Sequence, residues 1–312
     1  MSGWQDSTIH VVLASDEKYA MPMSVVICSA AFNCAPDRLL RFHIIESGFS
    51  EESKQRVHRS LTGVRSRNAQ IDWYPVAMKS IADLTIVHSH MNSLIYARLL
   101  APRLLPPDVD WALYIDSDVV VEGDVSELWD AYKSEKSLSA VRDRIGLVSQ
   151  PGGLINFEQL GIDPGTPYFN SGVMLINVAR WREQSISEKV FSYLRSHGHL
   201  LQAGDQDGLN AILHNDWLEI PGRWNQQIVP RALRGGSDVA LPNRVEGGIL
   251  HFITGEKPWA PGCEYIERQH FYDCLDKTDW RGWRIPLWRE SYFLSRRALG
   301  KLRRSIIPAT SS

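Results

Sequence analysis

Five segments near the start of the chain alternate in character with a regularity that few folds accommodate. Ile9–Ala14 is a short apolar run, Met21–Asn33 is helical in character, and Arg41–Glu46 is strand-like again. Ser50–Ser60 then reads as a capped helix and Gln70–Pro75 as a third strand. Strands and helices at this spacing build βαβ units with a shared sheet. The expected class is therefore α/β, with a mostly parallel central sheet. No Gly-rich phosphate fingerprint follows the first strand, which speaks against the usual dinucleotide site. In open sheets ligands lie beyond the carboxyl ends of strands, and that is where Asp16 and Tyr19 fall. Taken alone, the loop reads first as an acidic turn acting as a helix N-cap.

Asn92–Leu105 is expected to form an amphipathic helix. Its Arg98 stands among apolar neighbours, where an arginine either reaches out to water or points at a buried anion. Trp111–Ile115 reads as a buried strand, yet it ends in Asp116-Ser117-Asp118. An unpaired buried carboxylate forfeits its hydration, so a cation is expected beside these acids, a divalent metal first. The plain alternative is a solvated turn where the strand leaves the core.

Gly123–Trp129 reads as a turn leading into a short helix, and Ser139–Arg142 as another strand. Gly146–Pro167 looks irregular, a flexible loop over a site. Tyr168–Asn177 is a strand with an Asn170-Ser171-Gly172 break near its start, and helices are expected over Val178–Trp181, Ser185–His197 and Asp205–Leu213. Asp205, Gln206 and Asp207 open the last of these. They are either dipole partners of the helix or a grip for sugar hydroxyls. Trp217–Trp224 suggests a strand and bend, Arg231–Gly248 a loop, Ile249–Phe252 a strand, Ile253–Trp259 a tight turn and Glu264–Leu275 a helix.

Charge narrows the partners. The 312 residues carry a formal net charge of -2, but Arg281–Arg304 holds eight Lys/Arg against Glu290, so that segment is +7 and the rest is -9. An acidic body does not suit nucleic acid. Cys28, Cys34, Cys263 and Cys274 lack metal-like spacing and read as reduced, which suits a cytoplasmic chain. No secretory leader or membrane-spanning run is apparent. Basic residues interleaved with Trp283, Trp288, Tyr292 and Phe293 suit contact with anionic lipid at the inner face of a membrane; a packed C-terminal helix with a solvated basic face is the alternative.

Three features point to one chemistry. Asp116 and Asp118 offer hard oxygen ligands suited to Mg²⁺ or Mn²⁺, and His251, after an apolar strand, would tilt the choice to Mn²⁺. Lys257 follows in a Gly/Pro turn as a point charge suited to phosphate. A metal and a lysine together can stabilise a departing diphosphate. Taken singly, these are a solvated turn, a core histidine and a surface lysine.

From about Ile9 to about Trp259 the chain resembles glycosyltransferase family 8, the retaining enzymes that include lipopolysaccharide galactosyl- and glucosyltransferases. The motifs come in that family's order: Ala14-x-Asp16-x-x-Tyr19, Tyr96-x-Arg98-Leu99, Tyr114-x-Asp116-x-Asp118 and Phe169-Asn170-Ser171-Gly172-Val173. Asp205-Gln206-Asp207-x-x-Asn210 and His251-Phe252-x-x-Gly255-x-Lys257-Pro258-Trp259 complete the series.

The resemblance implies the GT-A fold, a Rossmann-like α/β architecture whose mostly parallel central sheet carries helices on both faces, with a catalytic domain over 1–278 and a basic, aromatic tail over 279–312. It implies that Asp116, Asp118 and His251 bind Mn²⁺ (or Mg²⁺) on the diphosphate of UDP-galactose or UDP-glucose. Ala14, Asp16 and Tyr19 would hold uridine, with Ser117 also on the donor. Gly255 and Lys257 would contact phosphate, and Arg98, Asn170, Asp205 and Gln206 the donor sugar. Gln206, with Asp205, is the candidate group on the opposite face of that sugar, and the acceptor would be a glycan, glycolipid or glycoprotein. Lys18 departs from the Asn that bacterial members often carry. Two rival readings are a haloacid-dehalogenase-like phosphatase with Asp116 as nucleophile, and a nucleotide-sugar-binding protein without turnover.

Overall fold

The computed structural model describes residues 8–62, 68–77, 93–234 and 245–306. Its larger sheet has seven strands, ordered β3-β2-β1-β4-β7-β6-β8. These are β1 Thr8–Asp16, β2 Leu39–Ser47, β3 Ala69–Pro75, β4 Trp111–Ile115, β6 Leu138–Leu147, β7 Pro167–Asn177 and β8 Trp217–Glu219. Four of the six pairings are parallel; β7 alone runs against both its neighbours.

β1 sits centrally, and alternate side chains go to opposite faces as the pleat requires. Ile9, Val11 and Leu13 join a core with helix α1 (Ala20–Asn33), while Val12 joins a second core with Tyr114 and Met174. Each such fully buried side chain contributes roughly 1.5–3 kcal/mol. The second core is closed by α5 (Val178–Glu183), α6 (Ile186–His197) and α7 (Asp205–Leu213). Helices α2 (Glu51–Thr62) and α8 (Arg268–Leu275) flank α1 on the first face. Helices thus cover both faces, as expected.

A second sheet, β5-β10-β9, is built from Val119–Val121, Ile249–Phe252 and Gln226–Ile228. β10 runs antiparallel to β5 with His251 opposite Val119. That register sets His251 one residue from Asp118 in space, and the Phe252 N–H closes on the Asp118 carbonyl at 3.1 Å. On the other side the antiparallel β4–β7 ladder pairs Ile115 with Val173, and the Asp116 N–H donates to the Gly172 carbonyl at 2.8 Å.

Three expectations shift. The amphipathic helix over Asn92–Leu105 is instead a 3₁₀ segment, Ser93–Leu100, followed by one turn of α3, Ala101–Leu104; Asn92 lies outside the described residues. Pro102 explains the break, since it has no N–H for the Arg98 carbonyl and its ring crowds that carbonyl. β6 runs on to Leu147, where it pairs with Pro167, so the irregular stretch begins later than Gly146. α8 starts at Arg268 rather than Glu264, because Glu264 is held by a backbone hydrogen bond to Arg231 and its N–H by the Glu256 carboxylate. Of the Arg231–Gly248 loop, residues 235–244 lie outside the described part. The short helix after Gly123 is α4, Val125–Ala131, capped by Asp124. The four cysteines are free.

The basic tail forms helix α9, Leu287–Ile306, and residues 307–312 lie outside the described part. No described helix is long and apolar enough to cross a membrane.

Candidate active site

Asp116 and Asp118 flank the gap between β4 and β5, and β10 brings His251 to them. One ligand atom from each of the three lies within 4.8 Å of the others. His251 Nε2 is 3.3 Å from Asp118 Oδ1 and 3.7 Å from Asp116 Oδ2. Asp118 Oδ1 is buried and receives no hydrogen bond. Two carboxylates facing an imidazole nitrogen, one oxygen unsatisfied, form a donor set that fits a divalent cation of the Mn²⁺ or Mg²⁺ kind. A Cβ on Gly172 would lie 2.2 Å from His251 Cε1 and 2.8 Å from Asp116 Oδ2, so only glycine lets β7 pass this close.

Lys257 Nζ donates to Asp118 Oδ2 at 2.6 Å and to the Phe252 carbonyl at 2.7 Å. Burial alone would raise the Asp118 carboxyl, but the Lys257 ammonium, together with any positive charge on the His251 ring, outweighs it and holds the group below the usual carboxylate range.

Arg98 settles its alternatives by pointing inward, and it is 6% exposed. Its Nε lies 2.9 Å from Asp205 Oδ2 and one terminal nitrogen 3.0 Å from Asp116 Oδ1. The other donates to the Ser171 carbonyl at 2.7 Å, and the guanidinium lies over the Tyr114 ring. Tyr114 adds its own hydroxyl to Asp116 Oδ1 at 2.7 Å. Burial pushes the Asp205 carboxyl up to about 6 even with Arg98 pulling it down, and Asp116 pushes the same way as burial.

Gln206 has both ends of its amide engaged. Oε1 accepts from the Ser171 N–H at 3.0 Å, and Nε2 donates to Asp143 Oδ2 at 3.2 Å. Asn170 Nδ2 donates to the same Asp143 oxygen at 2.8 Å. Asp207 turns away, taking the Tyr168 hydroxyl and the Gln202 and Ala203 N–H groups, while Asn210 pairs with both backbone groups of Phe169. Asp207 and Asn210 therefore shape α7 and β7 rather than the cleft.

At the end of β1, Asp16 Oδ1 accepts from the Lys18 N–H at 3.0 Å, so Asp16 caps the 3₁₀ turn Glu17–Tyr19, whereas α1 itself starts after Tyr19 without a side-chain cap. Ser117 Oγ donates to the Ala14 carbonyl at 3.3 Å. Tyr19 meets Trp259 edge to face at 5.7 Å. Its phenol is pushed up to about 12 by burial, then by the negative charges of Asp118, Asp16 and Asp116. Gly255 lies two residues before Lys257 with open space above it.

Asp143 and Asn225 carry side chains into this network without having been singled out from sequence. Asn225 Oδ1 lies 2.9 Å from His251 Nδ1, and its Nδ2 donates to Asn170 Oδ1 at 2.8 Å. Asp143 sits mid-strand among charged residues, and nothing local separates it from a surface acid. Asn225 follows a buried Trp224, a weak cue that its own side chain is buried too.

The sequence model of Glycosyl transferase family 8 matches residues 10–262. General stress protein A of Bacillus subtilis (strain 168) is 28% identical over 88% of this chain and 96% of its own length. The lipopolysaccharide 1,3-galactosyltransferase of Salmonella typhimurium is 24% identical over 87% of this chain and 79% of its own length. Among solved structures, the galactosyltransferase LgtC in complex with donor and acceptor sugar analogs superposes with a TM-score of 0.72, at 26% identity, covering 90% of this chain and 99% of that one.

Proposed function

The chain belongs to glycosyltransferase family 8 and has its GT-A fold, and on that premise we propose that it transfers a hexose, galactose or glucose, from a UDP-sugar to a glycan, glycolipid or glycoprotein acceptor with retention at the anomeric carbon. The observation that carries this reading is the convergence of Asp116, Asp118 and His251 with Lys257 at the gap between two sheets. Family membership replaces the reading of Asp116 as a phosphatase nucleophile.

Asp116, Asp118 and His251 would hold Mn²⁺, or Mg²⁺, which when bound neutralises charge on a departing diphosphate. Lys257 is the chain's own cation for that diphosphate, with Gly255 leaving the backbone room for a phosphate to approach. Tyr19, beside Trp259, offers a ring for uracil to stack on, with Asp16 as acceptor and Ala14 and Ser117 alongside. Arg98, Asn170, Asp205 and Gln206, tied together through Ser171 and Asp143, would contact the donor sugar.

Gln206 supports a front-face route. Its oxygen already accepts from the Ser171 N–H, and a carboxamide is a weak nucleophile, so its role is to stabilise positive charge on the sugar. Asp205 is tied to Arg98 and serves as that arginine's partner. Incubation with Mn²⁺ and a panel of UDP-hexoses tests the function: the transferase releases UDP faster when acceptor is added. No UDP release with any donor leaves a binding protein without turnover. A glycosyl adduct trapped on Gln206 or Asp205 by mass spectrometry overturns the front-face route.

The proposed division is a catalytic unit over 1–278 and a tail from 279, although Asp279 pairs with Arg56 and Arg59 and Trp280 is buried. Beyond them, α9 turns Glu290 toward Arg268 and the Gly262 N–H, and Phe293 toward Gly262. Leu287 and Trp288 stand 84% and 71% exposed, with Leu294 also outward. An apolar stripe directed away from the body, flanked by Arg289 and Arg296, suits peripheral contact with an anionic membrane from the cytoplasmic side.

A further inference from the structure

The side chain of Asn225 belongs to neither the metal ligands nor the sugar pocket, yet it touches one and is wired to the other. Asn225, Asn170 and His251 are 2%, 6% and 4% exposed, so each must find its partners inside the protein. The polarity of the chain they form starts at Asp143, whose carboxylate only accepts. Asn170 must therefore present Nδ2 to Asp143, at 2.8 Å, which turns its Oδ1 toward the Gly172 N–H at 2.9 Å and toward Asn225. Asn225 must then present Nδ2 to Asn170, at 2.8 Å, and its Oδ1 to His251 Nδ1, at 2.9 Å. An acceptor at Nδ1 requires the proton to be there.

The consequence lies on the other side of the ring. With the proton on Nδ1, His251 Nε2 carries a lone pair aimed between Asp118 Oδ1 at 3.3 Å and Asp116 Oδ2 at 3.7 Å. The opposite tautomer would place an N–H there, donate it to Asp118, and close the donor set to a cation. We propose that Asn225 is a positioning residue that fixes His251 in the Nδ1–H tautomer, with Asn170 and Asp143 fixing Asn225 in turn. Asp143 also receives Gln206 Nε2 at 3.2 Å, so the metal ligand and the sugar pocket share one anchor. The proposal rests on the metal reading of Asp116, Asp118 and His251.

Two readouts on the full chain test it. In metal-free protein with ¹⁵N-labelled histidine, long-range proton–nitrogen spectra report which ring nitrogen of His251 carries the proton, its signal being the one missing from His251→Gln. In parallel, the free Mn²⁺ signal in electron paramagnetic resonance gives the Mn²⁺ dissociation constant. Wild type is expected to show protonated Nδ1. Asn225→Leu, similar in shape but without an acceptor, should lose that preference and bind Mn²⁺ about 10- to 100-fold more weakly. Asn225→Asp keeps an acceptor at Nδ1 and should retain the tautomer. If Asn225→Leu does not fold, Asn225→Ala carries the same comparison. A wild-type His251 protonated on Nε2 and not on Nδ1, or an Asn225→Leu variant unchanged in tautomer or in Mn²⁺ affinity, overturns the proposal. Wild type that binds no divalent cation overturns the metal reading instead, and the tautomer spectra still decide for or against the relay.

Discussion

Lys257 and Asp118, 139 residues apart in sequence, meet as ammonium and carboxylate at 2.6 Å beside the imidazole of His251. The lysine therefore offsets negative charge that a metal would otherwise meet alone. Lys257→Met should bind Mn²⁺ without nucleotide at least as tightly as wild type, because Asp118 is released. Transfer should nonetheless fall by about 10²-fold or more, as expected when a group that stabilises the leaving charge is removed. Mn²⁺ titration and UDP release read the two effects separately; weaker Mn²⁺ binding would show that Lys257 chiefly orients Asp118.

Arg98 is the buried partner of both Asp116 and Asp205. Arg98→Met strands two carboxylates without their cation, and breaking such a buried pair costs about 3–5 kcal/mol. Urea unfolding should register that loss, and adding Asp205→Asn should recover part of it. Additive losses in the double variant would mean that the two side chains are not coupled.

His43 supplies a pH dependence. Burial, then the neighbouring His10, hold its imidazole down from 6.5 to about 4, with Asp72 opposing and Arg41 assisting. The folded protein thus keeps His43 neutral where the unfolded chain protonates it. This contribution is complete above pH 6.5 and is lost as the pH falls from 6.5 toward 4, to a total of about 3 kcal/mol. Denaturation midpoints across that window should fall more steeply for wild type than for His43→Gln.

The outward stripe of α9 gives a membrane prediction. Replacing Leu287 and Trp288 with Glu should abolish co-sedimentation with vesicles containing anionic lipid and leave UDP release on a soluble acceptor unchanged, since neither side chain touches the site. Equal co-sedimentation of variant and wild type removes the membrane contact.

Much of this architecture is legible in the chain because local pattern and tertiary need agree. Trp111–Ile115 is apolar on both faces, as a strand between two cores must be, and its acidic end marks the sheet's ligand edge. At Asn92–Leu105 apolar spacing outweighs Pro102 on paper, whereas in the fold the missing N–H decides. Arg98 is undecidable from its neighbours in sequence, because its two acids come from β4's end and from α7. The role of Asn225 is hidden for a similar reason, since a cue to its burial says nothing of its partner: that partner comes from a register that sets β9 and β10 side by side, with Leu250 opposite Gln226.

That middle position of β10, paired to β5 on one side and β9 on the other, has a consequence for how the protein comes into being. A chain emerging from the ribosome has both aspartates and the whole seven-stranded sheet in hand before Ile249 is made. Until β10 arrives, β5 and β9 are edges without a partner, and Asp116 and Asp118 face neither His251 nor Lys257. Capacity for donor should appear late and all at once, with the insertion of one four-residue strand, and loss of that strand alone should silence an otherwise folded body.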